Sequence, residues 1–104
     1  MGANKPRLTS QTLKVLAILM SRTQQDEISG AEIARSTKLS SGTLYPILAR
    51  LEEAGWVESR WETEDPRKLG RPRRRFYQAT GVGMREARSA FREVVLSLKE
   101  FACL

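Results

Sequence analysis

SGAEIARSTKLSSGTLYPILARLEE, Ser29–Glu53, is the stretch that decides the fold. Ser29 followed three residues later by Glu32 is a capping box, in which the hydroxyl and the carboxylate each satisfy a free backbone N–H at a helix start. A short helix follows to about Lys38. Ser40 can then cap a further helix that carries Leu44, Ile47, Leu48 and Leu51 on one face and ends at Gly55. Two short helices joined by a tight turn make a helix-turn-helix. Pro46 lies inside the second of them, where it lacks an N–H and crowds the Gly42 carbonyl. It predicts either a distorted, end-like first turn or an uneventful proline close enough to the N-terminal turn to be tolerated.

Upstream, Thr9 or Ser10 can cap a helix running to about Ser21, with Leu13, Leu16, Ala17 and Met20 at helical spacing. Val15, Ile18 and Leu19 widen its apolar face until little of its circumference is polar, which predicts a central helix. Thr23–Glu27 reads as a polar connection. Downstream, Trp56–Glu62 alternates, with Val57, Ser59 and Trp61 on one face and Glu58, Arg60 and Glu62 on the other. A second strand spans about Arg74–Ala79, and Asp65-Pro66 and Gly70-Arg71-Pro72 mark turns between the two. Trp56 is expected to cover the core and Trp61 to pack along this hairpin.

Thr80 can cap a last helix reaching about Ala102, roughly 30 Å long at the standard rise. Met84, Ala87, Phe91, Val94, Leu98 and Phe101 follow alternating spacings of three and four, a two-position heptad seam that Val95 widens. Such a seam asks for another helix. The fold class is therefore mainly α with a small β-hairpin: a winged helix-turn-helix over residues 1–80 and a C-terminal dimerisation helix over 81–104.

A chain of 104 residues has room for one compact domain. Its 40% hydrophobic and 29% charged residues, with no low-complexity tract, mark it as folded. The net charge of +6 is unevenly placed, with six basic residues among the nine positions Arg67–Arg75. A polyanion is the natural partner of such a run, although a run alone can equally be a solvated loop. There is no His and a single Cys. Neither a metal site of the usual ligand types nor an imidazole-based triad can be built, so no enzyme activity and no cofactor is expected. Cys103 is expected to be an inert thiol in a fraying helix end. The longest apolar stretch, Leu13–Met20, is too short to span a bilayer, and no signal peptide or lipidation pattern is visible: Pro6 stands where myristoylation after Gly2 would need Ser or Thr. A cytoplasmic location without membrane attachment is expected.

With its apolar face committed to the core, the third helix offers Ser40, Ser41, Thr43, Tyr45, Pro46 and Arg50 as candidates for base and phosphate contacts. Arg50 could instead pair with Glu52 or Glu53. In the loop, Gly70-Arg71-Pro72-Arg73 presents Arg71 and Arg73 in an extended form suited to a narrow minor groove. Lys68 and Arg74 suit phosphates, which set affinity without reading sequence.

SGTLYPILARLEE (Ser41–Glu53), GWVESRWE (Gly55–Glu62) and GRPRRRFYQAT (Gly70–Thr80) together resemble the PadR family of winged-helix transcriptional regulators. The resemblance covers roughly Leu8–Phe101 and looks like the small subgroup with one C-terminal helix. It implies a homodimer held by that helix, double-stranded DNA with a near-palindromic operator as partner, and repression usually relieved by a small-molecule effector. Some members bind aromatic drugs at the dimer interface; the last helix here has Phe91 and Phe101 but no Trp, a departure from a stacking pocket. Two further readings stay open: a winged-helix module that binds another protein, and an architectural DNA-binding protein of low sequence preference.

Overall fold

The computed structural model describes residues 5–22 and 26–102. The elements run α1 (Ser10–Met20), β1 (Ile28–Ser29), α2 (Gly30–Thr37), α3 (Ser41–Glu53), β2 (Val57–Trp61), α4 (Pro66–Leu69), β3 (Arg75–Ala79) and α5 (Gly81–Ala102). Gly2, residues 23–25 of the polar connection and Cys103 lie outside the described residues.

Thr9 caps α1, its hydroxyl accepting from the Thr12 N–H at 3.2 Å. Val15, Leu16 and Leu19 of α1 are buried, which makes this helix the central one its apolar circumference requires. They join Ile33 of α2, Leu44, Leu48 and Leu51 of α3, and Ile28, Val57 and Tyr77 of the sheet in one hydrophobic core. Trp56 is buried at the end of α3.

The expected capping box is half realised. The Ser29 hydroxyl accepts from the Glu32 N–H at 3.2 Å, but the Glu32 carboxylate accepts from the Ser29 hydroxyl rather than from its backbone. Ser29 sits in a strand, opposite Phe76. The sheet is consequently three-stranded and antiparallel in the order β1-β3-β2, one strand more than the hairpin read from sequence. A two-residue strand has no alternation to betray it. Tyr77 lies between Ile28 and Ser59 in the register, and Phe76 between Ser29 and Arg60.

Lys38 makes the turn of the helix-turn-helix in the left-handed region, φ 60°, with its N–H on the Ala34 carbonyl at 2.8 Å. Ser40 has N-cap backbone angles, yet its side chain caps no N–H and donates instead to the Thr43 hydroxyl at 3.2 Å. The Ser40 carbonyl accepts from both Thr43 and Leu44, which tightens the first turn. Pro46 leaves α3 unbroken from Ser41 to Glu53, so the end-like first turn does not occur. The Gly42 carbonyl that would have faced a residue-46 N–H is at the exposed surface, where water can reach it.

Gly55, φ 80°, ends α3 and turns the chain into β2. Thr80 sends its hydroxyl to the Gly55 carbonyl at 2.7 Å and accepts the Gly83 N–H at 3.0 Å, so the start of α5 is fastened to the end of α3. Gly83 lies against the Trp56 backbone so closely that a Cβ there would fall 2.0 Å from the Trp56 carbonyl oxygen. The first half of α5 then packs on α1 and β3, burying Ala87 and Ala90. Beyond Phe91 every described residue of the helix is exposed.

Replacing Gly83 by Ala should destabilise the fold by about 1–3 kcal/mol through forced backbone separation. Gly81→Ala, whose Cβ meets only the flexible end of Arg85 at 3.6 Å, should be neutral or slightly stabilising. Urea unfolding of the two variants checks the contrast, and equal effects would refute the close approach.

Candidate nucleic-acid interface

α3 and the β2–β3 hairpin, the wing, are brought together by one side-chain chain of contacts. Glu52 on α3 accepts the Ser59 hydroxyl at 2.8 Å, Ser59 accepts Arg75 Nη2 at 2.8 Å and Nε at 3.0 Å, and Arg75 reaches back to Glu52 at 3.5 Å. The Arg75 guanidinium also lies over the rings of Trp61, at 5.3 Å, and Tyr77, at 6.0 Å. Charge, hydroxyl and ring faces converge on one cation, which fixes the angle between wing and helix. Burial pushes the Tyr77 phenol above its ordinary pKa, opposed by the neighbouring Arg75 charge. On the opposite face, Arg60 makes a bidentate pair with Glu27, both contacts 2.7 Å, and lies 5.2 Å from the Phe76 ring.

The basic loop expected between the two strands contains a short helix and is shaped by pairing within it. Asp65 caps the short α4, its carboxylate accepting the Arg67 N–H, and Gly70, φ 68°, ends it. Arg71, expected to be free for a minor groove, instead forks onto Glu62 with contacts of 2.6 and 3.1 Å. Glu62 also accepts the Arg74 N–H at 2.8 Å, and its own N–H bonds the Arg74 carbonyl at 2.9 Å. The Arg71 fork, then the Arg74 N–H, hold the Glu62 carboxyl down at about 2. The same pairing raises the Arg71 guanidinium. Opposite charge at the right reach outcompetes solvation, so this arginine shapes the wing. Arg73 donates Nε to the Glu64 carbonyl at 3.0 Å. Among the described residues, the side chains of Lys68 and Arg74 have no ion-pair partner and stand exposed.

Of the α3 candidates, Ser40, Ser41, Tyr45, Pro46 and Arg50 are exposed and Thr43 is half-buried. Arg50 pairs with neither Glu52 nor Glu53. The Tyr45 ring leans across the start of α2, where a Cβ on Gly30 would fall 2.6 Å from its hydroxyl. Tyr45 thereby becomes one wall of a cleft of about 390 Å³, with Trp61, Arg73, Arg74 and Arg75 on the wing side. Gly30, Trp61 and Arg75 were not among the candidates read from sequence. Alternation placed Trp61 on one face of its strand with Ser59, but nothing in the sequence marked Gly30 or the meeting of Trp61 with α3.

The α5 seam divides in two. Ala87 is buried in the chain's own core, which corrects its assignment to a partner-facing seam, and Met84 and Phe91 are half-buried. Val94, Val95, Leu98 and Phe101 are exposed, Phe101 by 77%. Leu8 and Leu13 join Val94, Leu98 and Phe101 around a groove of about 430 Å³ between the N-terminal region and α5. Among the described residues no group of metal-ligating side chains occurs, and no helix is long and apolar enough to cross a membrane.

Three helices, a helix-turn-helix turn and a basic wing define a winged helix-turn-helix protein. Residues 18–89 match the Transcriptional regulator PadR-like family, and the chain belongs to it. That family consists of transcriptional regulators, not enzymes. The chain is also 36% identical over 52 residues to the HTH-type transcriptional regulator SarZ of Staphylococcus haemolyticus, a match covering 50% of this chain and 35% of that protein. It therefore spans about a third of that relative. Its fold is similar to a PadR family transcriptional regulator from Eggerthella lenta, with TM-score 0.68, 22% identity, and 85% of this chain and 77% of that one covered. It is also similar to S. aureus MepR in its DNA-binding conformation, with TM-score 0.67, 20% identity, and coverage of 92% and 64%. The S. aureus MepR–DNA complex gives TM-score 0.66 at 20% identity, covering 91% and 70%.

The Glu62 carboxyl should titrate near 2 by carbon-13 NMR in the parent chain. In Arg71→Ala its midpoint should move toward the ordinary value of 4.5. Because its folded pKa is depressed, the pair's contribution is complete above about 4.5 and is lost as pH falls toward 2. An unmoved midpoint would show that Arg71 does not hold the wing.

Proposed function

We propose that this chain is a sequence-specific DNA-binding transcriptional regulator, a homodimeric repressor acting on an inverted-repeat operator. The observation that carries the reading is the shared cleft: the exposed Tyr45 of α3 and the wing arginines Arg73 and Arg74 open on one side of the molecule. Helix and wing can thus meet the same duplex. Ser40, Ser41, Thr43, Tyr45 and Pro46 at the start of α3 would lie at base edges, since a recognition helix enters the major groove by its N-terminal residues. Arg50, Lys68 and Arg74 would meet phosphates, and Arg73 the minor groove. Arg71 acts on DNA indirectly in this scheme, by holding the wing. That MepR, which shares the fold, forms a complex with DNA supports DNA as the partner.

Dimerisation rests on the exposed apolar end of α5. Leu98 is 64% exposed and Phe101 77%, in a row with Val94 and Val95. Leaving such a row in water is unfavourable by roughly 25 cal/mol per Å² of apolar surface. A second copy would cover it and set two α3 helices on one duplex, about one DNA turn apart. In this division, residues 1–80 read DNA and the helix from 81 onward joins the copies, with its first turns also serving the core. Control by a small-molecule effector, usual in the family, belongs to the same reading.

Selection of bound duplexes from a random-sequence pool tests the proposal directly. The expected product is an inverted repeat with half-site centres roughly 10 bp apart. An unenriched pool would reject sequence-specific recognition. The logarithm of the binding constant should fall against the logarithm of salt with a slope of roughly −5 to −7, for about six to eight neutralised phosphates. Leu98→Asp should convert the dimer to single chains in sedimentation and abolish tight operator binding; dimers that persist would move the interface elsewhere.

A further inference from the structure

Trp61 is 55% exposed at the loop end of the β2–β3 ladder, in a chain whose other tryptophan is buried. Arg75 covers part of its ring. The indole stands between two hollows. On one side is the 390 Å³ cleft shared with Tyr45 and Arg74; on the other is an open hollow of about 820 Å³ lined by Glu62, Pro66, Pro72 and Arg73. Arg75 takes up one part of the ring, and more than half of the residue stays open to solvent, enough to receive a further apolar face.

The charge around the ring narrows the occupant. Glu62, the one carboxylate that lines either hollow, is neutralised by Arg71, and Glu52 of α3 is paired with Arg75. Among the described residues, Arg73 keeps its terminal nitrogens out of ion pairs and the Arg74 guanidinium makes no ion pair. The surface therefore offers positive charge beside an apolar wall, at a spacing of adjacent side chains. A nucleic-acid strand presents the complement, with anionic phosphates alternating with apolar deoxyribose faces.

We infer that Trp61 is itself a DNA-contact residue, its indole covering a deoxyribose of the strand whose phosphates meet Arg74, beside the minor groove that Arg73 enters, with Tyr45 closing the cleft from α3. This rests on the proposed DNA binding and adds an apolar, salt-insensitive contact to it. The contact reads no base. It sets how deeply the wing seats against one strand.

Acrylamide quenching of the full chain, with and without a labelled random-sequence duplex at low salt, tests the inference while anisotropy of the label reports binding. Trp56 is 5% exposed, so the quenchable emission belongs to Trp61. Bound duplex should reduce the quenching constant about threefold. Trp61→Ala should weaken binding about tenfold with an unchanged salt slope, and Trp61→Phe should restore most of the loss. Duplex binding with unaltered quenching overturns the inference and leaves DNA binding standing. Absence of duplex binding overturns both. Quenching that falls with protein concentration alone would assign the hollow to a second copy, and also overturns it.

Discussion

The structure hinges on the junction where the end of α3, both ends of the hairpin and the start of α5 meet. The Trp56 carbonyl accepts the Thr80 N–H at 3.0 Å, the Thr80 hydroxyl holds the Gly55 carbonyl, and Gly83 fits against the Trp56 backbone without room for a side chain. Three functional parts, the reading helix, the wing and the long helix, leave from this point. Hydrogen bonds within a few residues set how these parts leave the junction, and the Arg75 contacts to Ser59 and Glu52 hold the wing to α3 further along. Buried Trp56 and Val57 then tie the junction to the helical core.

Charge in the wing is organised by pairing as much as by accumulation. A run of six cations over nine residues would repel itself and stay extended. Glu62 prevents this by taking Arg71 in a fork and the Arg74 backbone in the same carboxylate. Arg75 is drawn the other way, onto Ser59, Glu52 and two aromatic rings. Two cations give the wing its shape, and the rest remain outward. The loop thus arrives folded at any encounter, and less conformational freedom is lost on contact.

Most of the architecture was legible because its signals are periodic. Leu44, Ile47, Leu48 and Leu51 announce the buried face of α3, and alternation announces β2. The parts that were not legible depend on partners far along the chain. β1 is two residues long and exists only because β3 offers it an edge. α4 is a single turn whose Asp-Pro start and Gly end read equally well as a loop. The pairing of Arg71 with Glu62 spans nine residues and a hairpin, so composition alone presents that arginine as free. Ala87 follows a heptad as well as any residue of α5, but the heptad cannot say whether the covering helix is α1 of the same chain or something else. In the candidate interface, the exposed positions of α3 were readable from its apolar face, whereas Trp61 and Gly30 acquire meaning only when wing and helix are placed side by side.

The proximity of Gly30 to the Tyr45 hydroxyl links two positions fifteen residues apart. A methyl group at 30 would push the phenol ring out of its seat, and a smaller residue at 45 would leave the start of α2 uncovered. Divergence at either site is thus conditional on the other, and the pair should drift through evolution as a unit, glycine with a bulky aromatic or a larger side chain with a small one.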